Sequence, residues 1–226
     1  MIICTSLSPF HSNKAIQAEC VRSWQKLAFV YSLNTQKEIE LIENEYFGVC
    51  FVKTHRTSET LFGRPLISIN AIFDFAIENE QDLFMINSDI YVDSLPPLHT
   101  DGITIFSRWD YEDHFGQGKL FLHGFDGFFF PKHLLKLYPP TIYALGGCYF
   151  DHSIPLRYIQ MNVPVYWPQG KHLFHKLHKT QYSIDEWLWL ADFFRFEFKM
   201  PKHLSAGEIA TQNIKIINHK AIKQYD

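Results

Sequence analysis

The sequence is short of several things, and each shortage removes a class of function. Its four cysteines, Cys4, Cys20, Cys50 and Cys148, stand far apart and form no CxxC pair. That leaves no zinc ribbon and no disulfide framework, and reduced thiols are the simplest account. Basic runs are missing and the net charge is −3, which argues against a nucleic-acid backbone as the main partner. No apolar run reaches the roughly 18–20 residues of a membrane span. The opening MIICTSLSPF has no basic leader and only three apolar residues in succession, so the expectation is a soluble, cytoplasmic protein. Glycine is absent from CTSLSPFHSN, the stretch after the first apolar run, and this excludes the GxGxxG turn of a dinucleotide-binding dehydrogenase. There is no internal repeat and no low-complexity linker.

What is present is an ordinary globular composition with an aromatic excess. Hydrophobic residues make up 46% of the 226 positions, ample for one sizeable core. The 21 Phe and 11 Tyr fit a bulky core and fit sugar-stacking platforms equally, so the count alone decides nothing.

The order of patterns is more informative. Ile2 to Thr5 reads as a strand. A helical spacing of Ile16, Cys20, Trp24 and Leu27 follows, with Ser12 or Asn13 as its cap. Ala28 to Ser32 is a second strand, and Thr35 with Glu38 is a capping box opening a helix that carries Ile39, Ile42 and Tyr46. Val49 to Val52 is a third strand. Pro65 suits the first turn of a helix bearing Ile69, Ile72, Phe73, Ala76 and Ile77, which leads into an apolar strand from Leu83. Continuous apolar strands alternating with amphipathic helices predict an α/β fold with a mostly parallel central sheet flanked by helices.

After Asp93 the rhythm changes. Strands are expected at 102–106 and 163–167, with an aromatic, glycine-punctuated stretch HGFDGFFF between them. Gly146-Gly147 precede a helix that starts near Asp151, and Ser183 with Glu186 makes a capping box for another. The segment from Pro201 is polar and weakly patterned. One domain, 1–226, is the reading, in three parts: 1–93, 94–200 and a C-terminal tail, 201–226.

The strand from Leu83 ends in Asn87-Ser88-Asp89. Ligands of open α/β sheets bind beyond the carboxyl ends of strands, and the first strand delivers Thr5 and Ser6 to the same edge. A turn whose Asp bonds its own backbone is the common alternative. Later, His172, His175 and His178 recur at a spacing of three, and at most one or two of them are expected to share an ion. A carboxylate with one imidazole, completed by diphosphate oxygens, suits Mn²⁺ or Mg²⁺ rather than a closed zinc site.

This β-α-β-α-β order, the strand ending in NSD and the glycine- and aromatic-rich second half with a late histidine together resemble the GT-A nucleotide-sugar glycosyltransferases, over roughly residues 1–180. In that family a DxD-type motif binds the metal carried by the sugar nucleotide. The matching residues are Asn87, Ser88 and Asp89, with Asn at the position usually held by Asp, so Asp89 becomes the direct ligand. The family's late metal-binding histidine points to His172 first and His175 second. The resemblance implies a metal-dependent, inverting transfer of a sugar from a nucleoside-diphosphate donor, a UDP-sugar first among them, to a glycan or other hydroxyl acceptor.

Around that implied site, Arg56 or Arg64 would assist at the diphosphate, and Gly146 and Gly147 would let the sugar approach. Asp151 is the first candidate for the base that relieves the acceptor hydroxyl of its proton, and Asp126 is its rival. Arg108 and Trp109 are candidates to face the donor sugar, and Tyr149 and Trp167 to stack on an acceptor. Each has a plainer alternative: surface charge for the arginines, a helix cap for Asp151, a turn for Asp126, core packing for the rings. Three other functions compete. A metal-dependent phosphoesterase would use Asp89, Asp93 and the histidines. A glycoside hydrolase would use Asp126 facing Asp151. A non-catalytic nucleotide-sugar-binding module is kept open by Asn87.

Overall fold

A computed structural model describes residues 1–113, 117–178 and 183–225. In chain order the first half forms β1 (Ile2–Thr5), α1 (Lys14–Gln25), β2 (Val30–Asn34), α2 (Gln36–Ile42), β3 (Val49–Lys53), α3 (Glu59–Phe62), α4 (Ile69–Glu78), β4 (Leu83–Ile86) and β5 (Ile90–Val92). The second half forms β6 (Ile103–Phe106), β7 (Arg108–Tyr111), β8 (Lys119–Leu120), β9 (Gly127–Phe130), α5 (Lys132–Leu135), α6 (Phe150–Gln160), β10 (Val165–Pro168), β11 (Leu173–Lys176), α7 (Ile184–Glu197), α8 (Ala206–Lys220) and β12 (Ile222–Gln224). Among the described residues no helix is long and apolar enough to cross a membrane.

The fold is α/β, as the alternation predicts, with an eight-stranded sheet in the order β12-β10-β6-β9-β4-β1-β2-β3. Seven strands run parallel. Only β9 opposes its neighbours, β4 and β6. The strands are apolar on both faces because both faces are covered. Ile2, Cys4, Leu83, Met85, Ile103, Ile105, Phe128 and Phe130 pack with α4 to α8. The alternate residues Ile3, Phe84, Ile86, Phe106 and Phe129 pack with α1, α2 and β5. The two-residue period of a strand thus divides each apolar run between two cores.

A second, four-stranded sheet, β5-β11-β7-β8, leaves the large one at its carboxyl edge. Three of its strands are continuations: β4 runs through residues 87–89 into β5, β6 through Ser107 into β7, and β10 through 169–172 into β11. α1 braces the junction, where the buried Trp24 Nε1 donates to Ile90 O (2.8 Å) and Val92 N to Ser23 Oγ (3.0 Å).

Several local readings need correction. Pro65 lies outside any helix, because residues 56–58 and 66–68 pair across α3, with Ser58 N to Leu66 O and Ser68 N to Arg56 O; α4 starts at Ile69. At α7 only half of the capping box forms: Ser183 accepts from Glu186 N, while the Glu186 carboxylate turns to Arg64. The GFFF stretch is a central strand, recognisable only once covered on both sides. The segment after Pro201 is no weakly patterned tail. It forms α8, opened by a capping box of Ser205 and Glu208, and then β12. Its inward face is Ala206, Ile209, Asn213 and Ile217, and the buried Asn213 interrupts the apolar stripe that would have disclosed it.

Close packing at the start of β6 gives one test of this architecture. A Cβ on Gly102 would lie 2.3 Å from Pro164 O, the acceptor of the Ile103 N–H. Backbone cannot yield there as a side chain would, so Gly102→Ala should lower stability by about 1–3 kcal/mol, read as a lower urea midpoint at unchanged slope.

Candidate functional site

The first three strands build the large sheet outward from β1 in one direction, and β4 then joins β1 on the other side. The crevice beyond the carboxyl ends of β1 and β4 is therefore a topological switch point, the usual place for a ligand in such sheets. Thr5 and His11 enter it from the β1 side and Asn87, Ser88 and Asp89 from the β4 side. The small sheet adds a third wall.

Three imidazoles converge on one carboxylate oxygen. Asp89 Oδ2 lies 2.8 Å from His178 Nε2, 3.6 Å from His175 Nε2 and 3.8 Å from His11 Nε2. Of these, Asp89, His11 and His178 offer ligand atoms that all fall within 4.8 Å of one another. The side chains of His11 and His175 are only 7% and 8% exposed, and that of Asp89 20%. Burial alone would raise the Asp89 carboxyl, but His11, His175 and His178 outweigh it and hold the group well below the usual range.

Groups behind the rings fix their orientation. His175 Nδ1 meets Asp110 Oδ1 at 2.8 Å. Burial would lower the His175 pKa, yet the carboxylates of Asp110 and Asp89 push it up to about 9. Asp110 is itself held by Arg108 Nε (2.8 Å), and Arg108 Nη1 reaches both oxygens of Asp126 at 3.0 Å. Asn87 Nδ2 closes the chain on Asp126 Oδ1 (2.7 Å). Strand geometry explains the set. Arg108 and Asp110 are two apart on β7 and share a face, and Asp110 is directly opposite His175 in the β7–β11 register.

The other sequence candidates fall into distinct places. His172 is three residues from His175 on the same extended segment, which turns it to the opposite face; it meets Ser94 (3.4 Å) and the edge of Phe106. Thr5 is fully buried with its hydroxyl unpartnered among the described residues; Ser6 is half-buried beside it. The Ser88 hydroxyl meets the Gln17 amide at 3.1 Å. Arg56 pairs with Asp74 on α4, and Arg64 makes two bonds to the Glu186 carboxylate on α7 (2.8 and 2.6 Å). Gly146 takes a left-handed φ of 77° in the turn before α6, and Gly147 N–H closes that turn on Ala144 O. Asp93 is exposed. Tyr149 and Trp167 are core residues, 4% exposed each.

Asp151 lies in the first turn of α6, whose cap is Tyr149 in the left-handed conformation. Its Oδ2 accepts from Phe125 N (3.3 Å), one residue from Asp126, so it belongs to the same polar group. Gly124 makes the room: a Cβ there would fall 2.3 Å from Asp151 Oδ2. Burial pushes the Asp151 carboxyl above its ordinary value; His152 opposes this and nearby Asp126 adds to it. Between the ordinary value and the raised one the folded chain keeps a proton that the unfolded chain has lost. Stability must therefore fall as pH rises through that window. Urea unfolding across about pH 4 to 7 should show Asp151→Asn more stable than the native chain at the upper end and converging with it at the lower.

Sequence reading alone missed the importance of His11 and Asp110 and ranked His178 behind its neighbours. A signal for His11 existed, since it follows β1 at the same edge as Asp89. Asp110 could be read from the Arg-x-Asp spacing on a strand, but its pairing with His175 could not.

No protein-family model matches the chain, and no curated protein matches it. Among solved structures it is similar to one described as mannose-1-phosphate geranyltransferase from Thermus thermophilus, at 10% identity and a TM-score of 0.34, over 93% of this chain and 67% of that one. Similarity at that level carries no functional argument, so the function has to be judged on the atoms of the site.

Proposed function

We propose that this chain is a metal-dependent glycosyltransferase that moves a sugar from a nucleoside-diphosphate donor to a hydroxyl acceptor with inversion. The observation that carries the reading is the Asp89, His11 and His178 cluster at the switch point between β1 and β4. These residues suit a divalent ion: one carboxylate held ionised, two imidazoles, and a buried His11 Nε2 without a hydrogen-bond partner among the described residues. Such a ligand set favours Mn²⁺ over Mg²⁺, because imidazole is a softer donor than Mg²⁺ prefers. A bound ion there would supply Lewis-acid neutralisation of a departing diphosphate, worth several kcal/mol.

The chain's own groups divide the remaining work. Asp151, whose raised pKa makes it a better proton acceptor than an ordinary surface carboxylate, takes the acceptor proton. A single base and direct displacement give inversion. Asp126 is the weaker candidate, since Arg108 occupies both of its oxygens; the same pairing counts against a glycoside hydrolase that needs two free carboxylates. Arg108 and Asn87 hold Asp126 and Asp110 in place and so shape the wall on which a donor would lie.

A second reading has one observation in its favour. The cluster gathers more imidazoles than an ion delivered by a nucleotide requires, which suits a metal-dependent phosphoesterase. Product analysis separates the two. With Mn²⁺ and a series of nucleotide sugars, transfer or slow hydrolysis at the anomeric carbon releases nucleoside diphosphate. Cleavage of the diphosphate releases nucleoside monophosphate and sugar phosphate, and would replace the first reading by the second. Binding with neither product would leave a nucleotide-sugar-binding module.

A further inference from the structure

We propose that Asp89, His11 and His178 bind a divalent transition-metal ion by themselves, so that the ion is resident before any nucleotide arrives. This deepens the reading of the same site and rests on it. A lone carboxylate and one imidazole would need diphosphate oxygens to complete an ion's shell. Here three protein ligands come from three separate segments: the loop after β1, the turn after β4 and the chain just beyond β11.

Their spacing is that of ligands around a common centre. With metal–ligand bonds of about 2.0–2.2 Å, neighbouring ligand atoms stand roughly 3–3.5 Å apart. The Nε2-to-Oδ2 distances of 2.8 Å for His178 and 3.8 Å for His11 bracket that range. His11 is the more telling of the two. At 3.8 Å it is too far for a hydrogen bond to Asp89, and its Nε2 is buried without a hydrogen-bond partner among the described residues. An orphaned buried polar atom costs about 1–3 kcal/mol, which an ion would relieve.

The far nitrogen of His11 is already arranged for ligation. Asn13 presents both its carbonyl (3.0 Å) and its N–H (3.1 Å) to Nδ1. The carbonyl accepts Nδ1–H in the tautomer that leaves the Nε2 lone pair free, the usual arrangement behind a metal-ligating histidine. His175 stands beside the three, its Nδ1 bonded to Asp110 and its Nε2 facing Asp89 Oδ2, and so braces the ligand carboxylate. Two imidazoles and a carboxylate with further positions open fit Zn²⁺, Co²⁺, Fe²⁺ or Mn²⁺, whereas Mg²⁺ prefers oxygen and retained water.

The test uses the full chain, stripped by a chelator and titrated with Co²⁺ in the absence of nucleotide. Visible d–d absorption reports inner-shell binding, and Zn²⁺ and Mg²⁺ are added as competitors. Saturable Co²⁺ binding is expected, displaced by Zn²⁺ and untouched by Mg²⁺. His11→Ala and His178→Ala should each weaken it by more than the roughly 10–100-fold that losing an outer-shell partner costs, while Lys37→Ala, on the exposed face of α2, should not. The two histidines lie on different segments, so misfolding of one variant leaves the other to decide. Binding that appears only after a nucleoside diphosphate is added would overturn the proposal and leave the glycosyltransferase reading intact. So would equal competition by Mg²⁺, or unchanged affinity in both folded histidine variants. Tight Co²⁺ binding with no affinity for any nucleotide sugar would do the reverse.

Discussion

Asp89→Ala should abolish metal-dependent donor binding, lowering the affinity for a nucleotide sugar in Mn²⁺ to that seen in a chelator. The carboxylate is the shared partner of three imidazoles, at 2.8, 3.6 and 3.8 Å. Without it the site loses its one anionic ligand, the group that offsets an ion's charge in a largely buried cluster. The fold should survive, because a lost charge-assisted hydrogen bond costs about 1.5–3 kcal/mol against a typical total of about 5–15 kcal/mol. Asp89→Asn sharpens the result. It preserves shape and can still accept from His178, but it removes the charge, and it should lose the ion as the alanine variant does. Calorimetric titration with and without Mn²⁺ reads both. Native-like, metal-dependent affinity in either variant would remove Asp89 from the site.

Arg108→Met should produce the largest loss of stability, about 3–5 kcal/mol. The guanidinium makes contacts to both Asp126 oxygens and to Asp110, and Asp126 is only 5% exposed. Removing the cation strands a buried carboxylate whose other side-chain partner among the described residues is the amide of Asn87. The double variant Arg108→Met, Asp126→Leu removes both charges and should recover much of the loss, since replacing both partners of a buried pair by apolar groups is often near neutral. Urea midpoints of the four chains in the cycle give the coupling directly. A single-variant loss under about 1 kcal/mol would mean that solvent already screens the pair. Metal affinity should change by less than in Asp89→Ala, because Arg108 touches no ligand atom and braces the cluster through Asp110 and His175.

These two outcomes depend on different kinds of information. Asp89 was legible as a strand-end carboxylate because a buried apolar run seldom finishes in Asn-Ser-Asp. The Arg108–Asp126 pair was not, although both residues drew attention singly. They lie 18 residues apart, beyond the reach of any local pattern, and meet because β7 continues β6 while β9 inserts, reversed, between β4 and β6. The histidines show the same limit. Their spacing of three on the chain says nothing about which shares a face with Asp89 until the segment is known to be extended. On a helix 172 and 175 would be neighbours; on the extended segment leading into β11 they point apart.

What the amino-acid order determined alone was local and periodic. It specified the alternation of apolar strands and amphipathic helices and the helix caps at Thr35 and Ser183. It also placed polar groups at the carboxyl end of β4, because these depend on residues within a few positions of one another. The tertiary structure decided which strands are neighbours, that GFFF is a central antiparallel strand, that a second sheet grows from the edge of the first, and that His11 and His178 reach Asp89 from opposite ends of the sequence. Those outcomes depend on burial and register between distant segments, which only the closed packing of the whole chain sets.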